Sequence, residues 1–347
     1  MWKFKHKSIA ALLSVLFIGL QLLANNDEYR KTYHQSFQVN SDVLLEVSNK
    51  YGFVKIVTGD VNEIVIDVVV TLEESSKELA QKTMDKIDIS ISGDASMVSA
   101  ITTIKAGGKF KELDIDYTIT MPVTGDLDLT NKFGNSYLNE LGGKSTIVVS
   151  YGALDVGSLK SKENRVTVKY GSGKIKYAHY LDFVARYSEV RVSKAKLLNL
   201  DAQFGEVRIG EVGRLDLKCQ YGDVNLGTIV ELKANVQFGD LEIEGIMKEF
   251  VLEAQYGDTE VEFISKNFEN VRITSSFGDV DLSFQSGSNF TLKGKASFGD
   301  IDIPSGSLEN VDGSSGSDRY DGKMFDGTAP SVVEVNMSYG DVDISIN

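Results

Sequence analysis

The chain has 347 residues, with 32 Gly, 3 Pro, 1 Cys and 3 His, and its 36 basic and 50 acidic side chains leave a formal charge of -14. One cysteine excludes an intramolecular disulfide or a Cys-based zinc site, and histidines at 6, 34 and 179 leave no His cluster for metal chemistry. An acidic chain repels phosphate backbones, which excludes nucleic acid as a partner, and 42% hydrophobic residues describe ordinary globular material of one or two domains.

Residues 1–24 read as a signal peptide: Lys3, Lys5 and Lys7 precede an apolar run over 9–23 that closes on Ala24 before Asn25, Asn26 and Asp27. The alternative, an uncleaved anchor, needs about 20 apolar residues, more than the run provides. No second apolar span follows, so no transmembrane segment is expected after removal of the leader. The protein is expected to be extracytoplasmic: periplasmic, on the outer surface, or secreted. Residues 25–130 read as an N-terminal β-rich cap. They hold one clear repeat over 41–56 and a helix-like stretch over 73–86, with Leu79 and Met84 as its apolar points. Strands follow over 87–91, 97–104 and 113–121.

From 131 onward one pattern dominates. An aromatic residue followed by Gly recurs from Tyr51-Gly52 and Phe133-Gly134 through Tyr221-Gly222 to Tyr339-Gly340, with Tyr187-Ser188 as a degenerate copy. From Gly134 to Gly299 the spacings are 18, 19, 17, 17, 17, 17, 18, 21 and 21, and the next is 41. After each glycine the second and fourth residues are apolar, as in Val207/Ile209 and Val224/Leu226. Before it the odd positions are apolar or small, as in Leu215, Leu217 and Cys219. Period two on both sides means strands, and the phase slip at the glycine means a corner. A repeat of 17–21 residues has no room for a crossover helix. The expected fold is all-β: a parallel β-solenoid, or single-stranded β-helix, over 131–347, its coils stacked in chain order with the aromatic ladder inside. At about 4.8 Å per coil, nine spacings stack to roughly 43 Å. Residues 305–328, rich in Gly, Ser and Asp, read as a mobile insertion. The last copy, over 333–346, runs to the end of the sequence, so no anchoring domain is expected after it.

Asn49-Lys50-Tyr51-Gly52, Asn131-Lys132-Phe133-Gly134, the strand at 117–122 and the Tyr221-Gly222-Asp223-Val224 series resemble the DUF4097-type putative adhesin family, related to the head GIN domain proteins. The resemblance covers most of the chain after the leader. It implies an extracytoplasmic β-solenoid with an adhesin-like role, and it brings no catalytic residues.

Two outward columns vary from coil to coil. The residue after each glycine, or after Ser188, runs Asn135, Ala153, Ser172, Glu189 and Glu206, then Asp from Asp223 onward, and two residues further stand Tyr137, Asp155, Lys174, Arg191, Arg208, Asn225, Glu242 and Glu260, then Asp281, Asp302 and Asp343. Asp279, Asp281, Asp300, Asp302, Asp341 and Asp343 are therefore candidate ligands for weakly bound Ca²⁺, a hard cation that takes several oxygens. The competing reading is a set of corner aspartates bonding local N–H groups beside a solvated face, and the EF-hand spacing is absent. Residues 160–196 hold ten basic against three acidic side chains, a net +7. Lys174, Lys176, Arg191, Lys194 and Arg208 are the candidate binding surface of this band, for an anionic envelope glycan or protein. The acidic end of a second copy is another candidate, giving end-to-end or face-to-face self-association; solvated lysines on a mixed face are the plain alternative. An enzyme reading, a polysaccharide lyase or glycosidase on a β-helix, needs long loops and a distinctive carboxylate pair. Neither is present, His179 has no motif partner, and Cys219 falls in an inward column of small residues. The expected function is a non-catalytic, adhesin-like or structural surface with no cofactor beyond weak Ca²⁺.

Overall fold

The computed structural model describes residues 17–19, 28–105, 112–304, 310–314, 317–324 and 331–347. The leader therefore falls almost wholly outside the described residues; of it only Phe17–Gly19 is described, as a short strand antiparallel to Glu28–Gln38. The chain divides into two compact units, residues 1–147 and 148–347.

The repeat is built as its period demands. In the second unit, alternate residues of each strand turn inward, so that Val207, Ile209, Leu215, Leu217 and Cys219 are all buried. Successive coils pair in parallel and in register, Val207 opposite Val224 and Val224 opposite Leu241. The phase slip at the corner has a different origin from the one expected. The residue in the left-handed region is the aromatic: twelve Tyr and Phe residues, from Tyr51 to Tyr339, have φ between 51° and 64°. This backbone costs a non-glycine residue about 1–2 kcal/mol. The ring then projects outward instead of into the core. Tyr221 is 48% exposed and Phe238 43%, so the ladder runs along the outside of the stack, contrary to the expected inside position. Neighbouring rings lie 4.7–5.1 Å apart and within 3–7° of parallel from Tyr151 onward. A stacked aromatic pair contributes about 0.5–1.5 kcal/mol, so each ring roughly offsets the strain of its own backbone.

The glycine is required by close approach. A Cβ on Gly222 would stand 2.0 Å from the carbonyl oxygen of Gly205, and one on Gly239 2.2 Å from that of Gly222. Ser188 takes this place in one coil, where its hydroxyl donates to Arg186 O (2.8 Å) and accepts from the Gly171 N–H (3.2 Å).

In the first unit the coil through Tyr51 stacks in parallel on the coil through Phe133, Leu44–Lys50 on Asp126–Lys132 and Val54–Gly59 on Ser136–Leu141. Asn49 and Asn131 lie buried beneath the two corners. The Asn49 Nδ2 donates to Ile115 O (2.9 Å), and the Asn131 Nδ2 to Gly52 O (3.2 Å) and Asn135 O (3.1 Å). On its other side the Tyr51 coil pairs with Met97–Ile104 and Glu112–Pro122. These hand over to antiparallel strands: Ile87–Gly93 on one face, and Glu63–Glu73 followed by Glu28–Gln38 on the other. The helix Lys77–Met84 is capped by Ser76, whose side chain accepts from the Leu79 N–H. Its buried points are Ala80 and Met84, while Leu79, expected to face inward, is exposed.

The coils of the second unit do not stack in chain order. Ser331–Ser338 lies between Asn270–Ser276 and Phe290–Ser297, parallel to both. Within the Gly- and Ser-rich stretch, Asn310–Ser314 and Ser317–Met324 form an antiparallel pair, and the second of these lies antiparallel along Phe290–Ser297. The parallel ladder thus ends on antiparallel strands here.

The glycine contact makes a sharp prediction for denaturant unfolding. Gly222→Ala is expected to lose about 2–3 kcal/mol, at the upper end of overpacking costs, and Ser188→Gly about 1 kcal/mol for its two hydrogen bonds. An unchanged midpoint for Gly222→Ala would show that the coils are not in this contact.

Candidate functional site

The column after the glycine changes chemistry with side-chain length. Where it is Asp, one carboxylate oxygen accepts the backbone N–H of the Asp in the next coil. The Asp240 N–H donates to Asp223 (3.2 Å), Asp258 to Asp240 (3.0 Å) and Asp279 to Asp258 (2.9 Å). The chain of bonds continues from Asp341 to Asp279 and from Asp300 to Asp341, both 2.9 Å. Where the residue is Glu, the longer arm reaches sideways instead. Glu189 Oε1 accepts from Arg191 Nε (2.8 Å) and Nη2 (2.6 Å), and from Arg208 Nη1 (2.8 Å), while Glu206 pairs with Arg208.

The six candidate calcium ligands are brought together in two rows. Asp279, Asp341 and Asp300 belong to the N–H ladder. Asp281, Asp343 and Asp302 stand opposite one another in the second column. Among the described residues no three acidic, His or Cys side chains converge on a point that could hold a metal ion. Partial burial pushes the Asp281 carboxyl above its ordinary value, and repulsion from Asp343, Glu260, Asp279 and Asp258 adds to the shift.

Of the basic candidates, Arg191 and Arg208 face each other across adjacent coils, and Lys174 joins Arg191 in lining a hollow of about 290 Å³ over Ser172 and Gly173. A second groove, of about 540 Å³, begins at Arg191 and Arg208, crosses Gly210 and Gly227, and ends at Glu242, Glu244 and Glu262. Gly210 and Gly227 occupy one column, where the coils approach closely: a Cβ on Gly210 would meet Ser193 O at 2.4 Å, and one on Gly227 would meet Gly210 O at 2.8 Å. Lys194 lies away from this row and is paired to Glu211 at 2.5 Å. Lys174 and Lys176 are exposed and have no ion-pair partner among the described residues. The structure therefore assembles Lys174, Arg191 and Arg208 along two grooves that share Arg191.

Two surface features escaped sequence reasoning. The aromatic column was visible but was placed on the wrong side. In the middle coils the residue before the ring forms an amide ladder, with Gln203 Nε2 donating to Gln220 Oε1 (3.2 Å) and Gln220 Nε2 to Gln237 Oε1 (3.0 Å). Identical spacing of Gln203, Gln220 and Gln237 is the signal that could have revealed it. The grooves, by contrast, depend on which column lacks side chains, and that is readable only once the coils are in register.

The catalytic candidates find no chemistry. Cys219 is buried, and desolvation pushes its thiol up to about 11, the opposite of an activated thiolate. Its Sγ lies 3.4 Å from Gly222 O, under the corner. His179 is half-buried, and neither groove includes it. Among the described residues no helix is long and apolar enough to cross a membrane.

The Asp281 carboxyl supplies a test with a defined sign. Its folded-state pKa is raised, so the folded state holds a proton more tightly than the unfolded chain. Stability therefore rises as pH falls through the folded value towards 3.8. Asp281→Asn is expected to raise the melting temperature at pH 7. The gain should shrink near pH 4, and also in 1 M salt, where the Debye length is about 3 Å. A lowered melting temperature at pH 7 would contradict the repulsive row.

The model of the family described as Toastrack DUF4097 matches residues 61–345. No curated protein matches the chain. Among solved structures the chain is similar to a putative adhesin from Parabacteroides distasonis, at 12% identity over 90% of this chain and 97% of that one, with a TM-score of 0.35. It is also similar to a putative adhesin from Parabacteroides merdae (9%, 90% and 95%, TM-score 0.36) and to a putative lipid binding protein from Parabacteroides distasonis (11%, 90% and 96%, TM-score 0.34). The once-per-coil corner and a family match that spans both compact units agree, and the chain belongs to the Toastrack DUF4097 family.

Proposed function

We propose that the protein is an extracytoplasmic, non-catalytic binding surface of the adhesin type, and that it holds an anionic envelope glycan along the row Lys174, Arg191 and Arg208. The observation that carries this reading is the pair of grooves joined at Arg191. A polymer needs an extended trough with repeated contacts, and stacked coils supply one at a period of about 4.8 Å. Arg191 and Arg208 are oriented by Glu189 yet remain half exposed. A guanidinium has five donors, so each keeps some for a carboxylate or sulfate. Lys174 adds an exposed charge with no ion-pair partner among the described residues.

The test is a glycan array, followed by titration with the best anionic ligand. Lys174→Glu/Arg191→Glu should abolish binding, and wild-type binding should weaken steeply with salt, as charge-led contacts do. Lys293→Glu, on a coil that lines neither groove, should bind as wild type. Equal binding by the double variant and the wild type would remove the proposal.

A further inference from the structure

Four independent features agree that coil 331–346 sits inside the stack. Its strands pair in parallel on both sides, with coil 270–284 and with coil 290–302. Tyr339 stacks on Phe277 at 4.9 Å and on Phe298 at 4.7 Å. The Asp341 N–H donates to Asp279, and the Asp300 N–H to Asp341. A Cβ on Gly340 would meet Gly278 O at 2.4 Å, and one on Gly299 would meet Gly340 O at 2.0 Å. Two coils that are neighbours in sequence are thus held apart by one that follows them.

The walls of this slot match each other as well as they match the strand between them. Val271 and Leu292 both stand opposite Val333, Ile273 and Gly294 opposite Val335, and Ser275 and Ala296 opposite Met337. Chain length also permits closure. The 21 residues from Tyr256 to Phe277 span one coil step, with rings 4.8 Å apart, whereas the 21 residues from Phe277 to Phe298 span two, with Tyr339 between them. The slot can therefore stand empty without a broken connection. The outer edge of Phe290–Ser297 is already paired with Ser317–Met324, so an added strand finds a partner on Phe290–Ser297 only from the slot side. Residues 303–330 join the inserted coil to the rest. With Ser317–Met324 held on Phe290–Ser297, the last six of them, 325–330, give the coil a reach of about 20 Å when extended, at roughly 3.3 Å per residue.

We propose that this slot is an exchange site for a second copy of the chain: coil 331–346 of one copy fills the slot of another, so that copies are joined through the ladder. The exchanged coil makes the same hydrogen bonds, ring stacks and glycine contacts as the resident one, so exchange alters the connection and leaves the contacts unchanged. The two walls select their occupant by the corner: an aromatic residue, a residue without Cβ, then Asp.

The experiment uses the full chain and a dye-labelled synthetic peptide of residues 329–347, in denaturant below the main unfolding transition, where circular dichroism still reports the native sheet. The expected result is saturable uptake of one peptide per chain by size-exclusion chromatography. A chain dimer that grows with protein concentration is also expected, and excess peptide should convert it to monomer. A peptide carrying Gly340→Val should neither enter nor dissolve the dimer, because its side chain meets Gly278 O. Absence of both peptide uptake and dimer overturns the proposal. So does equal uptake of the Gly340→Val peptide, which would place the peptide on an open edge outside the slot.

Discussion

The contact on which the rest depends is backbone against backbone at the corner, where the alpha carbon of each corner glycine faces the carbonyl of the corner below. With distances of 1.9–2.4 Å from a hypothetical Cβ to that oxygen in most coils of the second unit, a Cβ alone would press the coils apart, and the one coil that carries a side chain here is that of Ser188. Glycine here is a steric necessity, and only Gly52 among the corner glycines also has a φ in the left-handed range. Once the glycines are superposed, every other position is forced into a column with its equivalents, because parallel strands at about 4.8 Å leave no freedom of register.

A column of identical residues is stable only if like can satisfy like. Rings do so by stacking, glutamines by donating one amide to the next, and corner aspartates by accepting the N–H of the following coil. The column of Asp281, Asp343 and Asp302 has no such device: its carboxylates face one another, and their repulsion adds to the partial burial that raises the Asp281 pKa. The aromatic and glycine columns repeat almost without exception, while the column that holds Lys174, Arg191 and Arg208 and ends in carboxylates does not repeat. The proposed binding row stands in that varying column, beside the trough over Gly210 and Gly227.

Much of the second unit was legible because its period is short and its markers are rare residues. Tyr-Gly and Phe-Gly at 17–21 residues fix the strands, the places of the corners and the aliphatic inward set, and these stand as read. The side of the ladder was misread for a physical reason. Apolar rings at regular spacing normally mark a core, but here a left-handed backbone turns them outward, and no sequence pattern announces a non-glycine residue at positive φ. The basic residues were correctly grouped by charge, yet charge could not separate Lys194, which is held by Glu211, from Lys174, which has no such partner. In the first unit the buried Asn49 and Asn131 were read only as part of a motif. Their work, donating to carbonyls of the corner and of its neighbouring strand, becomes visible in the hydrogen bonds.

The order of the coils was the least legible feature, and the cause lies in the repeat itself. If every corner has the same shape, any coil can stack on any other, and local sequence specifies register without specifying sequence of stacking. Order is then set by the connections. A return of 17 residues admits only the adjacent coil, whereas the 41 residues between Gly299 and Gly340 leave the last coil a choice of neighbours. Joining the outer edge would require displacing Ser317–Met324 from Phe290–Ser297. Inserting between Asn270–Ser276 and Phe290–Ser297 gives the coil two parallel partners at once. An edge position offers one ladder of hydrogen bonds and leaves the other side exposed to addition. The interior position is therefore the one in which the uniformity of the repeat becomes an advantage to the strand that arrives last in sequence.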